Sequence, residues 1–163
     1  QAGGMTISLP EEDRSYLSKR YMEDQIVGLL GGRVAEQLCL GDVSTGASND
    51  IQRASQIARK MVATYGMSDK IGTVAFESGH DEVFIGRTMT QGRSYSEAVA
   101  AQIDQEVQRL VADAYGRCEQ ILRDNRGKLE AVASYLLEHE TMEREAFLEV
   151  FGEKAPTLKK ETI

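Results

Sequence analysis

Residues Ser94 to Asn125 read SYSEAVAAQIDQEVQRLVADAYGRCEQILRDN. Ile103, Val107, Leu110, Ala114, Cys118 and Ile121 recur along them at spacings of four, three, four, four and three. That is the period of a helix with one apolar stripe, and not the period of two that marks a strand. A helix of this length spans ~48 Å. Its charged residues, among them Asp104, Glu106, Arg109 and Asp113, read as a solvated face, and Cys118, on the stripe, as a core residue.

Working outward toward the N-terminus, Ser78 to Gln91 is a polar loop with Val83, Phe84 and Ile85 as its apolar anchor. Thr73 to Glu77, TVAFE, reads as a short strand. Ile51, Ala54, Ile57, Ala58, Met61, Val62 and Tyr65 form a second helical stripe, with Gly66 placed to end it. Before it, Asp42 to Asp50 (DVSTGASND) is a loop rich in capping residues. Another stripe starts near Arg14 and carries Leu17, Tyr21, Met22, Ile26, Leu29 and Leu30. Gly31 and Gly32 interrupt it, which implies either a break or the close approach of another backbone. Gly41 ends that element. Met5, Ile7 and Leu9 alternate with Thr6 and Ser8, the pattern of a half-buried strand closed by Pro10. Its partners are expected upstream of Gln1.

Toward the C-terminus, Lys128 to His139 carries Leu129, Val132, Ala133, Leu136 and Leu137. A last short helix starts near Thr141 as N-cap and buries Phe147, Leu148 and Phe151. The fold class is therefore mainly α, a bundle of about five helices with one or two short β-strands. Residues 1–152 are expected to form one domain and 153–163 a flexible tail.

Composition limits the functions open to such a bundle. The chain has 163 residues, 41% hydrophobic and 28% charged, as in ordinary globular proteins. Nineteen Lys and Arg against 26 Asp and Glu give a net charge of −7, which argues against a nucleic-acid partner. No run of 18 apolar residues occurs, so no membrane span is read here. Cys39 and Cys118 lie far apart with no metal spacing, and read as reduced thiols, with one disulfide left open. No H-E-x-x-H, Walker or G-x-S-x-G motif is present.

Individual residues give less. Asp50 fits the first turn of a helix capped by Ser48 or Asn49, facing the positive end of the dipole. A carboxylate fixed there by backbone N–H groups is also a good metal ligand, but one Asp is not a site, since zinc takes about four ligands. Glu36 reads as a helical acid paired with Arg33 at i,i+3. His80 reads as a solvated loop residue and His139 as a helix-terminal one; their 59-residue separation matches no zinc pattern.

The stretches LLGGRVAEQL (29–38), GDVSTGASNDIQRASQIARKMV (41–62), YGMSDKIG (65–72), EVFIGR (82–87), YSEAVAAQIDQEV (95–107) and LLEHETM (136–142) change that reading. Together, and in this order, they resemble the peptidase domain of the FtsH family of membrane-anchored, ATP-dependent zinc metalloproteases. The likeness runs from about Gly3 to Phe151. It implies a Zn²⁺ site built from the two histidines of an H-E-x-x-H helix, whose glutamate is the general base, and a third ligand that maps onto Asp50. The H-E-x-x-H segment is expected just upstream of Gln1, so no catalytic residue is assigned within the chain. The likeness also implies that Glu36 stands close to the zinc, in support of a ligand. It implies that residues Gly4, Met5, Thr6, Ile7 and Ser8 border the cleft as a strand that receives substrate by β-augmentation.

Further implications concern the whole protein: unfolded polypeptide substrates, a homo-hexamer driven by its own ATPase domains with ATP and Mg²⁺, and a place at the cell membrane with the peptidase domain on the cytoplasmic side. Gln37 departs from the second acid common in the family. The competing reading is a helical oligomerisation module without chemistry.

Overall fold

The structure is a computed structural model and describes residues 16–77 and 95–152. Among these residues it is built from five α-helices: α1 Lys19–Leu40, α2 Ser48–Arg59, α3 Glu97–Asp124, α4 Arg126–His139 and α5 Arg144–Phe151. The mainly α class read from the sequence holds. The expected strand over residues 4–9 and the expected tail 153–163 lie outside the described residues.

Contacts divide the chain into two units, Gln1–Glu119 and Gln120–Ile163. In the first, α1 begins where the Ser18 hydroxyl accepts the Tyr21 N–H at 3.2 Å, a side-chain cap that sets the start five residues later than the stripe suggested. It runs unbroken through Gly31 and Gly32, and a Cβ added at either would meet nothing within 4 Å. Among the described residues no backbone approaches there. Met22, Ile26, Leu30 and Val34, four residues apart, are the buried face. Gly41 closes the helix in the left-handed conformation, φ 67°.

Helix α2 packs on α1 through Ala54 and Ala58, both fully buried. Its N-cap is Ala47, which has no side chain to offer, and not Ser48 or Asn49 as expected. The helix then widens into a π-helical turn, Lys60–Thr64, whose Met61, Val62 and Ala63 are all buried. Tyr65 N–H donates to Lys60 O at 2.9 Å, the i→i−5 bond of that turn. Gly66 reverses the chain at φ 60°, and a Cβ there would stand 3.1 Å from the backbone of Thr73 and Val74. So glycine is required both for the conformation and for the space.

TVAFE is not a strand. Phe76 and Glu77 both donate to one carbonyl, Ala63 O, at 2.8 and 3.0 Å, so no ladder forms. The β-type pairing present among the described residues is an isolated bridge, Ser68 with Gly72.

Helix α3 buries Ala100, Ile103, Glu106, Leu110, Ala114 and Cys118. The reading of its charges as a solvated face is corrected at Glu106, which is 1% exposed. From Ile103 both 106 and 107 lie one turn on, and Glu106 takes the inner seat that hydrophobicity assigned to Val107. It can sit there because its carboxylate is fully met. It accepts the Ser68 hydroxyl at 2.8 Å and the Arg109 guanidinium at 3.1–3.3 Å, and pairs with Lys70 at 3.4 Å. The Arg109 bonds, then those of Ser68 and Lys70, hold its pKa down to about 2 against the pull of burial.

A second polar knot surrounds Arg59. Its guanidinium donates to Glu77 Oε1 at 2.9 Å, Asp104 Oδ1 at 3.2 Å and Tyr95 Oη at 3.1 Å, while Tyr95 donates to Glu77 at 2.8 Å. This fastens the end of α2 to α3 and to both flanks of residues 78–94.

In the second unit, α4 packs against α5. The N-cap of α5 is Glu143, not Thr141. Neither helix has a fully buried residue: Phe147 is 44% and Phe151 36% exposed, correcting the expectation that they are buried. The Phe147 and Phe151 rings lie against each other, tilted by 35° with centroids 4.8 Å apart, and Lys128 Nζ lies 4.8 Å from the Phe151 ring centroid.

Candidate functional site

Gly41 turns the chain back along α1, and this brings the loop 42–47 beside the last turns of that helix. Glu36 projects from α1 to meet it. Its carboxylate accepts the Ser44 hydroxyl at 2.7 Å and the Ser44 N–H at 3.1 Å, and the same hydroxyl oxygen accepts the Gly46 N–H at 3.1 Å. Arg33, one turn earlier, reaches the Ser44 carbonyl at 3.5 Å. The expected Arg33–Glu36 pair is thus replaced by two side chains that converge on Ser44. The Ser44 hydroxyl, then its N–H, hold the Glu36 carboxyl below the usual carboxylate range. Thr45 O takes the Ser48 N–H at 3.1 Å and Ala47 O the Ile51 N–H at 3.0 Å, which leads into α2.

Asp50 lies in the first turn of α2, half-buried. Among the described residues no group donates to its carboxylate, so the fixing by backbone N–H groups expected from the sequence is absent. Its position comes from the helix itself. It lines a groove of about 460 Å³ between α1 and α2, with Gly28, Leu29 and Gly32 on one wall and Arg53 and Ile57 beside it. Glu36 does not line this groove; it holds the loop that leads to Asp50.

A carboxylate that lines a groove and meets no donor among the described residues fits zinc as one ligand. Among the described residues no three His, Cys, Asp or Glu side chains stand close enough to hold a metal ion. His139 ends α4, where its Nδ1 lies 3.1 Å from Tyr135 O and its ring stacks on Tyr135 at 4.3 Å, a helix-end role as expected. His80 and residues Gly4, Met5, Thr6, Ile7 and Ser8 lie outside the described residues. Cys39 and Cys118 are both free thiols; burial raises the Cys118 pKa.

The sequence reading missed Ser44 as the partner of Glu36. The signal was available: an acid on the last turns of a helix, a glycine that ends it, and a serine just beyond.

With this arrangement in view, comparison with known proteins is decisive: residues 1–150 match peptidase family M41. The chain belongs to that family. It is 54% identical over 152 residues to "ATP-dependent zinc metalloprotease FtsH 1" of Thermoanaerobacter sp. (strain X514), covering 93% of this chain and 25% of that protein. It is 51% identical over 146 residues to "ATP-dependent zinc metalloprotease FtsH" of Bacillus subtilis (strain 168), covering 89% and 23%. The chain thus spans about a quarter of the length of these M41 relatives. Among the described residues no helix is long and apolar enough to cross a membrane.

Proposed function

We propose that the chain is the peptidase part of a membrane-anchored, ATP-dependent zinc endopeptidase that processively degrades unfolded or membrane polypeptides. What carries the proposal is the identity of about half, across nearly the whole chain, with proteins named as zinc metalloproteases. The Asp50 carboxylate on α2, which lines a groove and meets no donor among the described residues, supports it.

In this reading residues 1–152 form the peptidase domain. Asp50 is the third zinc ligand, and the H-E-x-x-H pair of histidines and its glutamate come from upstream of Gln1. Zinc, when bound, lowers the pKa of its water to about 7 and polarises the scissile carbonyl. Asp50, on the first turn of α2, would be one of the residues holding the zinc and would supply negative charge to it. Glu36 acts behind it through the loop. Residues Gly4 to Ser8 offer a backbone edge that takes a peptide regardless of its sequence. The protein works as a homo-hexamer beneath ATPase domains using ATP and Mg²⁺, anchored in the cell membrane with this part in the cytoplasm.

Asp50→Asn in the full-length protein tests it. Casein degradation is expected to fall by at least about 10²-fold, with loss of zinc and with ATP hydrolysis retained. Undiminished proteolysis would instead favour the helical oligomerisation module.

A further inference from the structure

We infer that Ser44 is a positioning residue for the metal ligand: clamped by Glu36, its hydroxyl and N–H lock the loop 42–47 and so fix the first turn of α2 that presents Asp50. The inference rests on the reading of Asp50 as a zinc ligand and adds the device that aims it.

Three observations carry it. First, α2 begins without a cap of its own, since Ala47 offers no side-chain acceptor. The orphan N–H groups of a helix start normally find such a partner, and without one the first turn frays. Second, the restraint comes from another helix. Glu36 on α1 accepts two hydrogen bonds from Ser44, at 2.7 and 3.1 Å, and both end on an ionised carboxylate, the stronger kind. Ser44 passes this on by accepting the Gly46 N–H at 3.1 Å, one residue before the Ala47 cap. Third, Asp50 takes no hydrogen bond from the described residues, so among them no donor fixes where the carboxylate points, and the turn that carries it matters the more. A ligand held in this way depends on whatever fixes that turn.

Gly46 gives an independent handle. A Cβ added there would lie 3.2 Å from Ser44 Oγ and 3.9 Å from Glu36 Oε1. Gly46→Ala therefore pushes on the clamp while leaving both of its partners chemically intact.

The test measures zinc dissociation constants of the full-length protein by competition with a chromophoric chelator, and the visible absorption of the cobalt-substituted protein. Ser44→Ala is expected to weaken zinc by about tenfold or more and to shift the cobalt bands, as loss of a ligand-orienting partner does. Ser44→Thr, which keeps the hydroxyl, restores both. Gly46→Ala weakens zinc in the same direction, and it decides the matter if Ser44→Ala fails to fold. Asp50→Asn is the control. If it abolishes zinc binding while Ser44→Ala stays within twofold of the parent, or Thr fails to rescue, the clamp is refuted and the ligand reading survives. If Asp50→Asn itself leaves zinc binding intact, the ligand reading falls and the clamp falls with it.

Discussion

Glu106 makes the core of the first unit sensitive to acid. Its carboxylate sits in the apolar stripe of α3, 1% exposed, and stays ionised because Arg109, Ser68 and Lys70 surround it. The folded pKa of about 2 lies below the ordinary 4.5. The unfolded chain therefore binds this proton first as pH falls, and the linkage has a definite sign. The contribution to stability is fully present above about pH 5, and declines as pH drops from there toward 2. Urea unfolding across that range should show this decline, and Glu106→Gln should flatten it. At pH 7 the same substitution should cost about 3 kcal/mol, since it removes one partner of a buried ionic cluster. An unchanged pH slope in Glu106→Gln would assign the acid sensitivity to other carboxylates. Sequence alone could not give this: Glu106 and Val107 occupy equivalent turns after Ile103, and what decides between them is a turn at Ser68–Lys70, 36 to 38 residues away.

At the scale of elements, the helices were legible because each carries a stripe of period 3.6. Their ends were less so, for reasons particular to each. Ser18 is a capping serine, but Arg14 to Leu17 continue the same stripe and disguise the boundary. The π-helical turn at Lys60–Thr64 has no residue signature, because it arises where the buried Met61, Val62 and Ala63 must all face inward before Gly66 reverses the chain. TVAFE has strand composition, yet a strand needs a neighbour, and two N–H groups directed at one carbonyl do not make one. Gly31 and Gly32 were read as a break or a close approach, and α1 shows neither among the described residues. Alanine at each should then stabilise this chain by about 0.5–1 kcal/mol through lost backbone entropy of the unfolded state. For the double variant that is a rise in melting temperature of a few degrees. A fall in this chain's melting temperature would mean that residues outside those described press on that face of α1. If instead the chain gains stability while the full-length protein loses assembly or activity, the glycines make room for another part of it.

The site becomes legible at the scale of the whole molecule, and through resemblance more than through chemistry. Spacing offered two histidines 59 residues apart and one aspartate at a helix start, which do not amount to a metal centre. The likeness of STGASND and its neighbours singled out Asp50, and the fold puts that carboxylate on a groove, with Glu36 and Ser44 behind its loop. Catalytic zinc takes three protein ligands and one open position. The described residues bring Asp50 no second or third donor. In the proposed reading the remaining donors come from upstream of Gln1, and metal analysis can measure this directly. The 163-residue chain, exchanged into zinc and desalted, should retain far less than one zinc per chain and leave casein uncut. Extended upstream through an H-E-x-x-H segment, it should hold one zinc per chain, and Asp50→Asn in that longer chain should release it. One tightly held zinc on the 163-residue chain, surviving Asp50→Asn, would place a complete donor set elsewhere within these residues and overturn both the position given to the histidine pair and the role given to Asp50.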